Sequence, residues 1–279
     1  MKQKTIAIMA AGMGSRFGGL KQIHAVVDDY AILDFSIYDA LQAGFNHLVF
    51  IVREDILKIF QERYENELPE HVQVDFVIQD ASKTPTRVKP WGTGHALLSL
   101  KHSINNHFAL INADDFYGRE AYKLMHDALY EDVNKHNYFI GYQLKNTLSD
   151  FGAVSRGQCF LNKNQELIHI VEHTNINKDN LLMPLNTIVS MNFWGFSADV
   201  FKIADNLFET FLKENKDSQT AEFYIPMIVD SMINEHKGIF RMLESNSNWF
   251  GVTYKKDELM VKQQLLKLIS EAVYPTKLW

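Results

Sequence analysis

Residues 10–22 read AAGMGSRFGGLKQ, directly after the apolar run Thr5-Ile6-Ala7-Ile8-Met9. Those thirteen positions hold four glycines, one arginine and one lysine. Residues 5–10 read as a buried strand. A strand that runs into a glycine-rich, cationic loop is a place to hold phosphates. Gly12 and Gly14 let the backbone turn sharply and bring N–H groups close to a ligand. Ser15 can donate to phosphate or cap the next segment, Arg16 presents a planar fork, and Lys21 is a movable point charge. The plainer alternative is an ordinary strand-to-helix turn with exposed basic residues, because short glycine patterns recur by chance. The loop fits neither G-x-x-x-x-G-K-[ST] nor G-x-G-x-x-G, so a kinase-type phosphate loop or a dinucleotide fold has no direct support.

Outward from the loop, strand and helix alternate. Asp34 is placed to cap a helix in which Leu33, Ile37, Ala40 and Leu41 share a stripe and Gly44 marks the stop. Residues 48–52 read as a second buried strand, 54–65 as a helix and 72–78 as an alternating strand. A polar loop, DASKTPTRVKP, precedes a helix over 93–102. Strand 108–111 ends in Asn112-Ala113-Asp114-Asp115, and helix 118–131 and strand 138–143 follow. Continuous apolar strands separated by helices predict a parallel sheet covered on both faces. Beyond 150 the pattern changes to a hairpin turning at 162–164, a strand TIVSMNFWGFS, and helices near 197–214 and 221–234. A short strand over 239–243 and a terminal helix near 257–272 close the chain, with Val261, Leu265, Leu268 and Ala272 on one helical face. No linker rich in glycine or proline separates the halves. One domain over 1–279 is expected, with lobes 1–148 and 149–279 sharing one sheet.

With 279 residues and 46% hydrophobic content, the chain has enough apolar material for a full core. A net charge of -6 and a pI near 6.0 argue against a general nucleic-acid binder, while leaving room for a small cationic pocket. The single cysteine, Cys159, excludes an internal disulfide and a cysteine-rich zinc site, and fits a reducing compartment. The apolar stretch before the first glycines is too short for a signal peptide, and no run approaches the roughly 18 apolar residues of a membrane span. The expectation is a soluble, cytoplasmic protein.

AAGMGSRFGGLK resembles the A-A-G-x-G-[ST]-R-[LF]…K signature of the sugar-phosphate nucleotidyltransferases, also called nucleoside-diphosphate-sugar pyrophosphorylases. ILDFSIYDALQAGFNHLVFIV is similar to that family's next helix, A-G corner and strand, and PWGTGHALL to its G-L-G-H-A-[IV]-L stretch. LINADDFYG resembles the strand end that bears the metal-binding aspartate. DFGAV, IVEH and SMNFWGF resemble the sugar-site segments Y-G-V-V, V-E-K-P and S-M-G-I-Y-V-F. The endings WFGVTYKKD and YPTKLW resemble a bacterial subgroup of the same family. The resemblance implies an α/β, Rossmann-like three-layer αβα sandwich with a mixed, mainly parallel central sheet. Its first lobe would bind nucleotide and its second the sugar phosphate.

The implied reaction joins a nucleoside triphosphate to a sugar-1-phosphate by attack at the α-phosphorus, with loss of pyrophosphate. Arg16 would hold the β- and γ-phosphates and Lys21 would lie against the α-phosphate, both as catalytic groups. The backbone from Ala10 and Ala11 through Gly12 and Gly14 to Ser15 would cradle the phosphates. Gln22 and Gln79 would read the base, with Gly92 and Thr93 letting backbone approach it. Each glutamine also reads as a surface residue near a loop or strand end. Asp114, after a buried strand, would hold Mg2+, although Asp114-Asp115 also reads as a helix cap. Gly152, Glu172, His173, Ser190 and Asn192 would serve the sugar phosphate. Here His173 stands where the family has the V-E-K-P lysine. Trp194, Trp249 and Phe250 read as core, and His95 as a packed helix residue. One departure stands out: Gly251 falls where the family's second metal aspartate is expected, which leaves Asp114 alone or assisted by Asp115 or Asp257. UTP or dTTP is the favoured nucleotide. The alternatives are a cytidylyltransferase for a phosphocholine-like or polyol phosphate, and a non-catalytic nucleotide- or sugar-sensing module. Relatives are often dimers or tetramers, which leaves homo-oligomerisation open.

Overall fold

The computed structural model describes residues 2–14, 17–65, 67–80, 87, 89–132, 136–252 and 254–279. β1 (Thr5–Met9), α1 (Ile32–Ala43), β2 (His47–Val52), α2 (Leu57–Tyr64) and β3 (Gln73–Ile78) lay three parallel strands side by side. α3 (Thr93–Ser99) then carries the chain to β4 (Phe108–Asn112), which joins β1 on its other edge, again in parallel. The strand order thus reverses between β1 and β4. Connections leaving their carboxyl ends part in opposite directions and open a crevice there.

The rest of the chain extends the same sheet. After β5 (Asp115–Phe116), α4 (Arg119–Tyr130) and β6 (Asn137–Gln143) comes the hairpin of β7 (Val154–Leu161) and β8 (Leu167–Ile176). Asn162 Oδ1 closes its turn by accepting the Asn164 and Glu166 N–H groups at 2.8 and 3.0 Å. β9 (Ile188–Phe196) inserts antiparallel between β4 and β6. α5 (Val200–Asn215), α6 (Ile225–Asn234), β10 (Phe240–Glu244), β11 (Phe250–Gly251) and α7 (Asp257–Ser270) complete the order. The nine-stranded sheet runs β10-β6-β9-β4-β1-β2-β3, with β7 attached to β9 and β8 to β7, and is mainly parallel along that path.

Alternation along the strands builds both cores. Ile6 and Ile8 face α1, α2 and α4 together with Leu48, Phe50 and Ile111. Ala7 and Met9 face α3, α5 and α6 with Val49, Ile51 and Leu110. The result is the expected three-layer α/β sandwich. A third cluster packs Val261 and Leu265 of α7, with Tyr274 and Leu278, onto Phe35, Phe116 and Phe250.

Local chemistry moved several boundaries. α1 begins two residues before Asp34, whose carboxylate reaches back to the Ala31 N–H at 2.6 Å from within the first turn. α3 ends at Ser99 and tightens into a 3-10 turn to His102. α6 starts at Ile225 because the preceding residues pair with the α3 entry: Phe223 N–H donates to Trp91 O, and Gly94 N–H to Phe223 O. Ala272 lies beyond α7 with φ 57°, so it does not continue the helical face. Among the described residues, no helix is long and apolar enough to cross a membrane.

Candidate active site

The loop after β1 enters the crevice at the switch point. Gly14 adopts φ 60°, and a Cβ there would stand 2.3 Å from Gly19 O, so the turn admits only glycine without rearrangement. Gly14 O accepts from the Phe17 and Gly18 N–H groups, each at 2.9 Å. Ser15 and Arg16 lie outside the described residues. Arg53, one residue past β2, was not singled out in the sequence. Its Nη1 donates to Ala11 O at 2.9 Å and Gly12 O at 2.8 Å, while Asp55 holds the rest of the guanidinium. In a trans peptide the N–H points opposite its carbonyl. Arg53 therefore turns the Gly12 and Met13 amides away from itself, and both residues line the crevice.

Two cavities meet in that crevice. The first, about 260 Å³, brings together Ala11, Gly12, Lys21, Gln22, Gln79, Gly92, Thr93, Asp114 and Asn192. Ala10 serves it through its carbonyl, which accepts from Gln22 Nε2 at 3.1 Å; the same amide reaches Gly12 O at 2.7 Å. Gln22 Oε1 is buried without a hydrogen-bond partner. Gln79 Nε2 donates to Gly92 O at 2.9 Å, and Gly92 itself has φ 101°. Thr93 Oγ1 caps α6 by accepting the Ile225 N–H at 3.2 Å. Lys89 and Glu222 pair at the rim of this cavity.

The second cavity, about 220 Å³, is lined by Glu172, Ser190, Asp115, Arg156 and Trp249. Lys21, Asn112, Asp114 and Asn192 border both cavities. At that junction Lys21 Nζ forms an ion pair with the Asp114 carboxylate. Two residues of the sequence reading stand apart from this cavity. His173 lies one residue beyond Glu172 on β8, and its Nε2 meets Gln158 Oε1 at 2.9 Å. Gly152 is covered by the Tyr254 ring, whose hydroxyl donates to Ala153 O at 2.9 Å.

Burial tunes the acids here. The Asp115 carboxyl is pushed up to about 7 by burial and then by neighbouring Asp114, against the Asn112 amide 2.8 Å away. Burial likewise pushes Glu172 up to about 7, with the Arg156 charge opposing. β5 and β11 set Gly251 opposite Asp115, and a Cβ at 251 would fall 2.5 Å from Asp115 Oδ1. Space for a side chain at 251 is thus already taken by the Asp115 carboxylate. Asp257 is engaged elsewhere, accepting from Ser149 Oγ at 3.0 Å and the Tyr254 N–H at 2.7 Å. Asp114, on the border of both cavities with its side chain about one-fifth exposed, suits a magnesium ion that takes its other ligands from water and phosphate. A second group, His126, Asp127 and Glu131, offers three ligand atoms within 4.8 Å of one another at the C-terminal end of α4. Lys4 Nζ stands 3.0 Å from His126 Nε2 and Lys123 Nζ 2.6 Å from Asp127, so cations already serve two of those residues.

Asn112 and Arg156 each carried a signal in the sequence: a polar residue closing a buried strand, and a cation midway along a strand of the hairpin. Arg53 carried little beyond its place after β2.

A crevice at the switch point, with backbone amides, a lysine and an aspartate converging on it, defines an α/β enzyme that handles phosphoryl groups. More particularly, the family profile described as "Nucleotidyl transferase" matches residues 5–263, and the chain belongs to that family. It is a nucleotidyltransferase. Among solved structures, it is similar to the inositol-1-phosphate CTP transferase from T. maritima, at 14% identity and TM-score 0.68, covering 96% of each chain. It is also similar to a UDP-glucose pyrophosphorylase complexed with UDP-glucose, at 18% identity and TM-score 0.65, covering 95% of this chain and 99% of the other. At these identities the likeness is one of fold. No curated protein sequence matches the chain.

Proposed function

We propose that the protein transfers a nucleotidyl group from UTP or dTTP to a sugar-1-phosphate, releasing pyrophosphate and a nucleoside-diphosphate sugar. The observation that carries this reading is the junction: Lys21 and Asp114 face each other where the two cavities meet. The triphosphate would lie in the first cavity along the amides of residues 11–14, and the acceptor in the second. An acceptor phosphate oxygen then forms a bond to the α-phosphorus as the bond to the β-phosphoryl oxygen breaks, and pyrophosphate carries off the electron pair. Little covalent help is needed, so alignment and charge stabilisation are the protein's contribution. Lys21 would offset charge on the α-phosphoryl oxygens, and Arg16 would favour the leaving pyrophosphate. Mg2+ held by Asp114 would neutralise phosphate charge. Gln22 supports the choice of base. Its amide nitrogen is committed to two carbonyls, so it offers a ligand only an acceptor, which suits the N3–H of uracil or thymine.

A second reading, a polyol-phosphate cytidylyltransferase, draws on His173 in place of lysine and on the inositol-1-phosphate CTP transferase likeness. A non-catalytic sensor would rest on Gly251. Pyrophosphate release measured across four nucleoside triphosphates and a panel of sugar and alditol phosphates separates the three. Turnover with UTP or dTTP and an aldose phosphate is expected. Turnover confined to CTP and a polyol phosphate would select the second reading, and none with tight nucleotide binding would select the sensor.

A further inference from the structure

We infer that Arg156 is the anchor for the phosphoryl group of the acceptor in the second cavity, an inference that rests on the nucleotidyltransferase reading above. Arg156 lies on β7, is 7% exposed, and lines the cavity with Lys21, Asp114 and Glu172. Its Nε donates to Thr147 Oγ1 at 3.0 Å, its Nη1 to Ser155 O at 2.7 Å, and its Nη2 to Thr147 O. The Trp249 ring lies beneath it, with its centroid 5.2 Å from Cζ. Every one of these partners is neutral. Among the described residues, no carboxylate comes within salt-bridge distance of the guanidinium; Asp115 and Glu172 act on it only from further away.

A buried cation without a counter-ion is costly, and its cost is tolerated where an anion is to arrive. Burial lowers Arg156 only to about 10, so it is charged at neutral pH. Three of its five N–H donors are used, and two are left for a phosphate fork. His173, the other cationic candidate on the hairpin, is turned to Gln158. Glu172 in the same cavity supplies an acceptor for hydroxyls. The pair selects a phosphate monoester of a hydroxylated carbon skeleton.

The test is calorimetric titration of the full chain with α-D-glucose 1-phosphate, inorganic phosphate, free glucose and UTP, for wild type, Arg156→Met and Arg156→Lys, with melting curves of each. Wild type should bind both phosphates more tightly than glucose. Arg156→Met should lose at least about tenfold in phosphate affinity while keeping its UTP affinity, and Arg156→Lys should recover part of the loss. Arg156→Met should still melt cooperatively, at a lowered temperature because Thr147 and Ser155 lose their donor, and a folded variant with lost phosphate affinity assigns that loss to the missing guanidinium. Unchanged phosphate affinity in both variants would overturn the inference, as would a wild type that binds neither phosphate. Equal loss of UTP affinity would assign Arg156 to the nucleotide and overturn it too. Failure of wild type to bind UTP would instead strike the choice of UTP in the reading above and leave the inference on Arg156 to the two phosphate titrations.

Discussion

On the proposed reading, Arg53 would act on a bound phosphate through the loop it holds. Its Nη1 holds the Ala11 and Gly12 carbonyls while its Nε and Nη2 grip Asp55, which would make it a positioning residue for the amides that line the crevice. Arg53→Gln should raise KM for the nucleotide about ten- to hundredfold, the worth of charged hydrogen bonds of about 1.5–3 kcal/mol. KM for the acceptor should stay near wild type, and Arg53→Lys should recover part of the loss. Steady-state kinetics with each substrate varied in turn checks the split; equal losses for both would mean a general structural role. Glu172 carries a pH prediction. Its carboxyl, pushed up to about 7 in the folded protein, ionises near 4.5 in the unfolded chain. Between those values the folded state holds a proton the unfolded chain has released, so this group's contribution to stability falls as pH rises and levels off above about 7. The ionised form is an acceptor only, and a stronger one for hydroxyl donors than the protonated form. Acceptor affinity should therefore climb as pH rises through 7, and Glu172→Gln should flatten the climb in a binding titration.

At the scale of elements, the C-terminal segment is tied to α1 and α4 through one buried carboxylate. Asp39 accepts from Tyr274 Oη at 2.5 Å and Arg119 Nε at 3.2 Å, and Arg119 Nη2 also donates to Val273 O at 2.6 Å. Tyr274→Phe removes a donor from a buried acceptor, a loss of about 1–3 kcal/mol. For a chain of this size that lowers the melting temperature by about 2–10 °C. Burial raises Asp39 to about 6, from 3.8. Its contribution to stability accordingly falls as pH rises from about 4 to 6. Asp39→Asn lacks that dependence, so the melting temperature of wild type relative to Asp39→Asn should decline across this window; a constant difference would refute the assignment. Most elements were legible because their apolar periods are long. β5 and β11, two residues each, have no period to read, and their pairing joins residues far apart in sequence. The antiparallel insertion of β9 was hidden for a similar reason: its residues read as a strand, but its direction is decided by the path of the chain around it.

Across the whole molecule, the placement of chemistry follows from strand order. Because β1 lies between β2 and β4, the glycine loop and Asp114 leave neighbouring strand ends and converge. The loop and the strand-end Asp114 were readable as local patterns, Gln22 and Gln79 only through the family resemblance, and the fold collects them into one cavity. Arg156 and Asn112 matter through neighbours brought in by the fold, and no short pattern announces that. The environment of Gly251 is likewise tertiary, since only the β5–β11 pairing shows that Asp115 already fills the space beside it. The central claim is that residues 11 to 21 wrap a triphosphate beside Asp114. A crystal structure of the protein with Mg2+ and a UTP analogue bridged by a non-hydrolysable α,β linkage tests it most directly. The account predicts phosphates against the amides of residues 11–14, a metal on Asp114, and Lys21 drawn from that carboxylate to the α-phosphate. A nucleotide bound elsewhere, with the Lys21–Asp114 pair intact and the loop amides facing solvent, would contradict it.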